Sequence, residues 1–262
     1  MSGENSATYV ELRGVMTRAS AFGAIGAKNS QVAEDYLKEM WGNEEAGGDG
    51  ISVNDLAARM GVAASTASEN VARLTSWGFV THEPYKKVHF TAQGRQIALG
   101  MVRRHRLLET YLHDRLGFEW DEVHEEAEIL EHAVSDRLLE HIDEALGWPA
   151  RDPHGDPIPD ADGRIRTGAT VPLSEQRQGE WVTVARLSDE DPQGLRNLDE
   201  AGIGLDSQIR LARLPNDEDG AGCAGNTGPA GEQVAVDVQD GVGTVNQVLL
   251  DETTANLIRV RA

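Results

Sequence analysis

The sequence predicts a mainly α N-terminal half that continues into further helices, followed by a small all-β C-terminal domain. Three observations carry this. Apolar residues recur at helical spacing in most segments between Ser30 and Trp148, five of the nine prolines fall between Pro149 and Pro172, and short alternating runs fill the remainder.

The chain has 262 residues, with 24 Lys and Arg against 44 Asp and Glu and a formal net charge of -20. That length provides one to three domains and a sizeable core. No apolar run reaches the roughly 18 to 20 residues that span a bilayer, and no signal-peptide core opens the chain, so the expectation is a soluble, cytoplasmic protein without a membrane partner. The single cysteine, Cys223, excludes an intramolecular disulfide framework. Such acidity argues against nucleic acid as a general partner and suits a halophilic, high-salt cytoplasm, where a highly charged surface stays hydrated.

Residues 1–29 carry only a weak apolar pattern and receive no role. From Ser30, a plausible N-cap, Val32, Tyr36, Leu37 and Met40 form the apolar stripe of a helix that ends in the loop NEEAGGDG. A second helix is expected from about Val53 to Met60, a turn at Gly61 and a third helix from about Ala64 to Ser76, with Leu56, Ala57, Val62, Val71 and Leu74 facing inward. This is a helix-turn-helix pattern, and Ser65, Thr66, Ser68 and Asn70 occupy the first turns of its second helix, where base edges and phosphates are met. After Gly78 two short strands are expected around Pro84 to Lys87, then another helix, which is the order of a winged helix. Between Val53 and Arg106 eight basic residues stand against three acidic ones, a local balance of +5. A basic segment in an acidic chain, coincident with this pattern, points to phosphate neutralisation by residues such as Arg73, Lys86 and Lys87; a winged helix used for protein contacts is the alternative.

Two helices are then expected between His105 and His141, punctuated by Gly117. Leu107, Leu108, Tyr111 and Leu112 line the first; Val123, Ala127, Leu130, Val134 and Leu138 line the second. His105 and Glu109 stand four apart, and His124, Glu128, Glu131 and His132 follow at offsets of four, seven and eight. Residues so spaced share a helix face. Imidazoles and carboxylates converging from two helices suit a divalent first-row metal, whereas a solvated acidic face is the plain alternative. A metallohydrolase is the more distant one: H-E-x-x-H is absent, and no nucleophile or general base accompanies the E-x-x-E-H at Glu128 to His132.

The prolines from 149 to 172 read as a linker or extended strap. Runs at Glu180 to Leu187, Gln208 to Leu214, Gln233 to Val238, Gly243 to Leu250 and Asn256 to Val260 read as strands of a small barrel, with a Gly-rich insertion at 215–233.

AEDYLKEMW, the helix-turn-helix, RRHRLLETYL, EVHEEAEILEHAVSD and PHGDPIP together resemble the diphtheria-toxin-repressor family of metal-dependent transcriptional regulators, over about Ser30 to Ala262. The resemblance implies a winged helix-turn-helix DNA-binding domain (30–100), a helical metal-binding and dimerisation domain (101–148), the linker (149–172) and an SH3-like barrel (173–262). It implies a homodimer that grips a palindromic operator in double-stranded DNA and represses metal-homeostasis genes when loaded with Fe2+ or Mn2+, and it implies no enzymatic activity. A regulatory site would comprise Asp35, Glu128, Glu131 and His132, and an ancillary site His105, Glu109, His124, Glu190 and Gln193. Thr66 and Ser68 match DNA-contacting positions. Asp35 and Glu128 stand where iron-responsive members often carry Met and Cys, which resembles the manganese type; Glu190 and Gln193 follow the iron type, and Lys38 stands where manganese regulators place an acid. Hard carboxylate ligands favour Mn2+ and remain compatible with Fe2+.

Overall fold

A computed structural model describes residues 27–166, 168–214, 233–239 and 241–261. Most of the N-terminal lead, the Gly-rich insertion and Cys223 lie outside them. The described residues up to Arg104, with Pro159–Arg164, form one compact unit; His105–Ile158, with those from Ile165 onward, form a second.

In the first unit, helix α1 (Ala27–Glu45) buries Ala33, Tyr36, Leu37 and Met40, the i, i+3, i+4, i+7 set that makes one face. It starts before Ser30, which is buried within the helix instead of capping it. Helix α2 (Val53–Arg59) is capped by Ser52, whose hydroxyl accepts from the Asp55 amide at 3.1 Å. Gly61, at φ +62°, turns the chain into α3 (Ala64–Ser76), which buries Ala67, Val71 and Leu74. Val62, expected inside, is exposed on that turn. Strands β1 (Val80–Thr81) and β2 (His89–Phe90) pair antiparallel, and Ile51 bridges Val88 to widen the wing. Helix α4 (Ala92–Tyr111) follows. Its Gly94 lets it seat on β1's leading edge: a Cβ there would lie 1.8 Å from the Phe79 carbonyl oxygen.

In the second unit, the C-terminal part of α4 runs into a π-helical turn (Leu112–Leu116) that Gly117 ends at φ +74°. The second helix expected there is two. Helix α5 (Val123–Leu130) stops, and Ser135, extended at ψ 151°, caps α6 (Asp136–Leu146) by accepting from the Leu138 amide at 3.2 Å. The serine hydroxyl satisfies an amide that a continuous helix would have bonded internally. Leu107, Leu108, Leu112, Val123, Ala127, Leu139, Ile142 and Ile158 form this region's core, while Leu138 is exposed.

The expected linker is partly folded. Arg151 bridges Pro157, and Asp152 Oδ1 accepts from the amides of His154 and Asp156, both at 2.9 Å, tying PHGDPIP into a turn with Asp152 and His154 buried. The all-β region is a six-stranded antiparallel sheet: β3 (Val171–Pro172), β4 (Val182–Leu187), β5 (Gln208–Leu211), β6 (Gln233–Gln239), β7 (Val245–Asp251) and β8 (Ile258–Arg261), in the order β3-β8-β4-β5-β6-β7. Among the described residues its ladder is open between β3 and β7. Its core, including Val184, Leu187, Ile209, Val236 and Ile258, also takes Leu195 and Leu198 from a helix the strand pattern does not show, α7 (Pro192–Glu200). Asp191 caps α7 and Pro192 opens it.

Candidate metal centre and nucleic-acid interface

The His and Glu residues of α4 and α5 come together within the second unit. His105 sits between two carboxylates: Nδ1 is 2.6 Å from Glu131 Oε2 and Nε2 is 2.8 Å from Glu109 Oε1. Its ring meets that of His124 edge-on, centroids 4.8 Å apart, with Nε2 3.2 Å from His124 Nδ1. His124 in turn approaches Glu109 at 3.3 Å, Glu128 at 3.7 Å and Asp189 at 2.8 Å. His132 Nε2 lies 3.6 Å from Glu131 Oε1. Glu131 is fully buried and Glu109 is 1% exposed.

Three overlapping groups each bring ligand atoms within 4.8 Å of one another: His105, Glu109, His124 and Asp189; His105, Glu128 and Glu131; and Glu109, Asp152 and His154. In the last, His154 Nε2 donates to the Trp120 carbonyl at 2.6 Å, and its buried Nδ1 has no hydrogen-bond partner among the described residues. A buried imidazole nitrogen with a free lone pair beside two carboxylates is a donor set that fits a divalent cation. Asp35 is half-buried on α1, in the first unit.

Of the residues implied for the ancillary site, His105, Glu109 and His124 converge, but Glu190 and Gln193 do not join them. Both are exposed, and the Gln193 amide is engaged by Arg196 and Asn197 at 3.0 Å each. From that segment it is Asp189, next to Glu190, whose carboxylate reaches His124. Asp189, Asp152 and His154 were not singled out from the sequence as ligands; PHGDPIP was the available signal for His154, and Asp152 immediately precedes that tract and ties it into a turn.

The electrostatics follow from burial and partners. The hydrogen bond to Asp189, then that to Glu109, raises His124 to a pKa of about 10. Burial pushes Glu109 up, but the charge and hydrogen bond of His105, with help from His124, hold it well below the usual carboxylate range. For Asp189, burial is likewise outweighed by the hydrogen bond from His124, and its pKa falls. Asp152 goes the other way: burial first, then Asp156 and Glu109, push it well above the ordinary value, despite Arg106 with Nε at 3.6 Å. Acids outnumber the imidazoles, so a cation would relieve their mutual repulsion.

On α3, Ser65, Thr66 and Ser68 are exposed. Asn70 is half-buried, with Nδ2 3.3 Å from Tyr36 Oη and 3.2 Å from the Thr66 carbonyl, and Arg73 donates to Asn29 Oδ1. On the wing, Lys86 pairs with Glu83 at 2.6 Å, and Lys87 donates to the Asp49 carbonyl at 3.1 Å.

A winged helix with exposed hydroxyls on its third helix, in a chain that also concentrates buried histidine and carboxylate ligands, defines the class of metal-responsive DNA-binding proteins. The comparisons give the family. Residues 28–88 match the family model described as iron dependent repressor, N-terminal DNA binding domain, and residues 91–160 the one described as iron dependent repressor, metal binding and dimerisation domain. The iron-dependent repressor IdeR of Mycobacterium leprae is 32% identical over 194 residues, covering 70% of this chain and 84% of that protein. The diphtheria toxin repressor of Corynebacterium glutamicum is 29% identical over 189 residues, 68% and 82% of the two chains. A solved manganese-dependent transcriptional repressor in complex with manganese superposes with a TM-score of 0.76 at 46% identity, covering 88% of this chain and 99% of that one. The chain belongs to the iron-dependent (diphtheria toxin) repressor family. Among the described residues no helix is long and apolar enough to cross a membrane.

Proposed function

We propose that the chain is a homodimeric transcriptional repressor of metal-homeostasis genes, activated by Fe2+ or Mn2+ to bind a palindromic operator in the cytoplasm, and that it catalyses no reaction. The observation that carries this is the convergence of His105, Glu109, His124, Glu128 and Glu131, the first two and the last of them buried, in a chain of this family.

In this reading Asp35, Glu128, Glu131 and His132 hold the regulatory ion, the set the family resemblance implies. His105, Glu109, His124 and Asp189 hold the ancillary one, with Asp152 and His154 as further donors at Glu109; Glu190 and Gln193 would join only by turning inward. The bound ion supplies positive charge that ligand carboxylates otherwise lack. Glu131 orients His105 through Nδ1, leaving Nε2 to the ancillary set, as outer-shell carboxylates do for ligating imidazoles. Ser65, Thr66 and Ser68 meet base edges, and Lys86 and Lys87 meet phosphates. Carboxylate-rich ligands favour Mn2+ and accept Fe2+, and the neighbour solved with manganese, at 46% identity, supports the manganese assignment.

The test is fluorescence anisotropy of the full chain on duplex DNA from its own upstream region, at high salt, with chelator, Mn2+ or anaerobic Fe2+. Tight binding only with one metal is expected. Equal binding in all three leaves a metal-independent winged-helix regulator.

A further inference from the structure

Helix α3 has three faces. Ala67, Val71 and Leu74 enter the core, and Ser65, Ser68 and Glu69 are exposed. Between these, Thr66, Asn70 and Arg73 follow at i, i+4 and i+7 with Trp77 just beyond the helix, and Asn70 and Arg73 of this stripe meet α1. Asn70 donates through Nδ2 to Tyr36 Oη at 3.3 Å and accepts at Oδ1 from Arg73 Nη1 at 3.4 Å; Arg73 Nη2 donates to Asn29 Oδ1, and its guanidinium lies 5.2 Å from the centroid of the Trp77 ring. Asn70 and Arg73, two of the seven side chains that the sequence assigns to DNA, are thus both engaged with α1.

On α1 the acceptors, Asn29 and Tyr36, are seven residues apart, two helical turns on one face. Tyr36 is 2% exposed, and Asn70 is its hydroxyl's hydrogen-bond partner among the described residues. Asp35 precedes it, and adjacent residues of one α-helix cannot shift independently. At the other end of α3 the N-cap is Ala63, which makes no side-chain hydrogen bond, and no comparable anchor is found among the described residues. Ser65, Thr66 and Ser68 therefore take their orientation from core packing and from the α1 contacts.

We propose that Tyr36, Asn70 and Arg73 form a latch that makes the recognition helix follow α1, so that Asn70 and Arg73 are positioning residues and not base readers. This rests on the reading that Asp35 is a ligand of the regulatory ion. Fixing Asp35 then fixes Tyr36, and through Asn70 it fixes the helix that carries Ser65 to Ser68. Metal and DNA affinities become linked, and linkage is reciprocal: DNA must tighten metal binding by the same factor by which metal tightens DNA binding.

The test uses full-length wild type, Tyr36→Phe, Asn70→Ala and the double variant. Free Mn2+ is followed by electron paramagnetic resonance with and without the upstream duplex, and DNA affinity by anisotropy with Mn2+ and with chelator. Tyr36→Phe keeps the ring in the core and touches no DNA. It is expected to bind Mn2+ alone within about twofold of wild type and to bind DNA in chelator unchanged. Its reciprocal gain should fall at least about fivefold, the low end of coupling between linked sites. Asn70→Ala should lose as much, and the double variant no more than either single one, because the two side chains act as one unit. Full gain retained by both single variants overturns the latch. So does an Asn70→Ala loss that is equal with Mn2+ and with chelator, which would mark direct DNA contact. If Tyr36→Phe fails to melt cooperatively, Asn70→Ala, half-buried at the helix surface, decides alone by the same criteria. A wild type that gains nothing from Mn2+ or Fe2+ overturns the metal-activated reading and the latch with it.

Discussion

On α3 the polar side chains Ser65, Thr66 and Ser68 stand in water, backed by Ala67, Val71 and Leu74, whereas around α4 and α5 the polar side chains His105, Glu109 and Glu131 are themselves the interior. Exposed hydroxyls keep their hydration until a partner arrives and cost the fold little. Buried carboxylates lose it, and each must find a hydrogen bond or a counter-charge to be tolerated. The first region is therefore stable in the form that meets its partner. The second keeps its acids inside by pairing them with imidazoles, and that difference leaves a cluster of donor atoms that could hold a cation.

The largest effect that would break this comparison is expected at Glu131. Glu131→Ala removes a fully buried carboxylate proposed as a regulatory ligand together with the 2.6 Å support of His105 Nδ1, and should lower Mn2+-activated DNA affinity at least about 100-fold, the upper end for loss of a ligand-orienting group alone. Glu125→Ala, on the exposed side of α5, should change it less than twofold. Comparable losses in the two variants would dissolve the distinction between inner and outer acids.

Protons offer the next lever. With a pKa of about 10, His124 is protonated at neutral pH in the metal-free protein and must lose that proton to serve as a ligand. Mn2+ affinity at the ancillary set should accordingly rise about tenfold per pH unit between 7 and 9. The sign for folding is opposite. A histidine raised from 6.5 to about 10 contributes stability that is complete below pH 6.5 and fades as pH climbs toward 10, so the melting temperature in chelator should fall over that window. A flat profile of metal affinity would remove His124 from the ligand set.

Asp189 and its neighbour give a sharper contrast. Asp189→Asn should weaken Mn2+ at the ancillary set about tenfold and shift the His124 titration toward neutrality, since the Asp189 hydrogen bond is the leading cause of its elevation. Glu190→Gln, on an exposed side chain, should leave both unchanged. The reverse outcome, read by isothermal titration and by histidine nuclear magnetic resonance, would return the ligand role to Glu190.

The smallest effect concerns the wing. Lys86 already neutralises Glu83 at 2.6 Å with both side chains exposed, so Lys86→Ala should cost less than about threefold in DNA affinity and reduce the salt slope by no more than about 1. Glu83→Gln releases the lysine and should steepen that slope. A larger loss for Lys86→Ala would show that the pair opens completely on DNA.

Much of the fold is legible because helix and strand faces announce themselves locally. The stripes of α1 and α3, the turn at Gly61, the stop at Gly117 and the strand runs each depend on residues a few positions apart. Val62, the start of α1, the Ser135 break between α5 and α6, and α7 were misread or missed for a related reason. There the deciding term is one hydrogen bond or one packing contact, such as the Ser135 hydroxyl on the Leu138 amide, that apolar periodicity does not encode. Within the site, His105, Glu109, His124, Glu128 and Glu131 lie on spacings that a helix brings to one face. Asp189 over Glu190 is a choice of one position in a segment 65 residues beyond His124, made by the turn leading into α7.

By itself the sequence determined the winged helix, the helical region after it, the all-β region and the clustering of His105, Glu109, His124, Glu128 and Glu131, because period and spacing act over one or two turns of backbone. Tertiary structure alone decided that Asp189 and not Glu190 reaches His124, that PHGDPIP folds with His154 buried, and that Asn70 and Arg73 face α1. Those outcomes depend on burial and on partners far along the chain, where a single residue of register changes which side chain is inside.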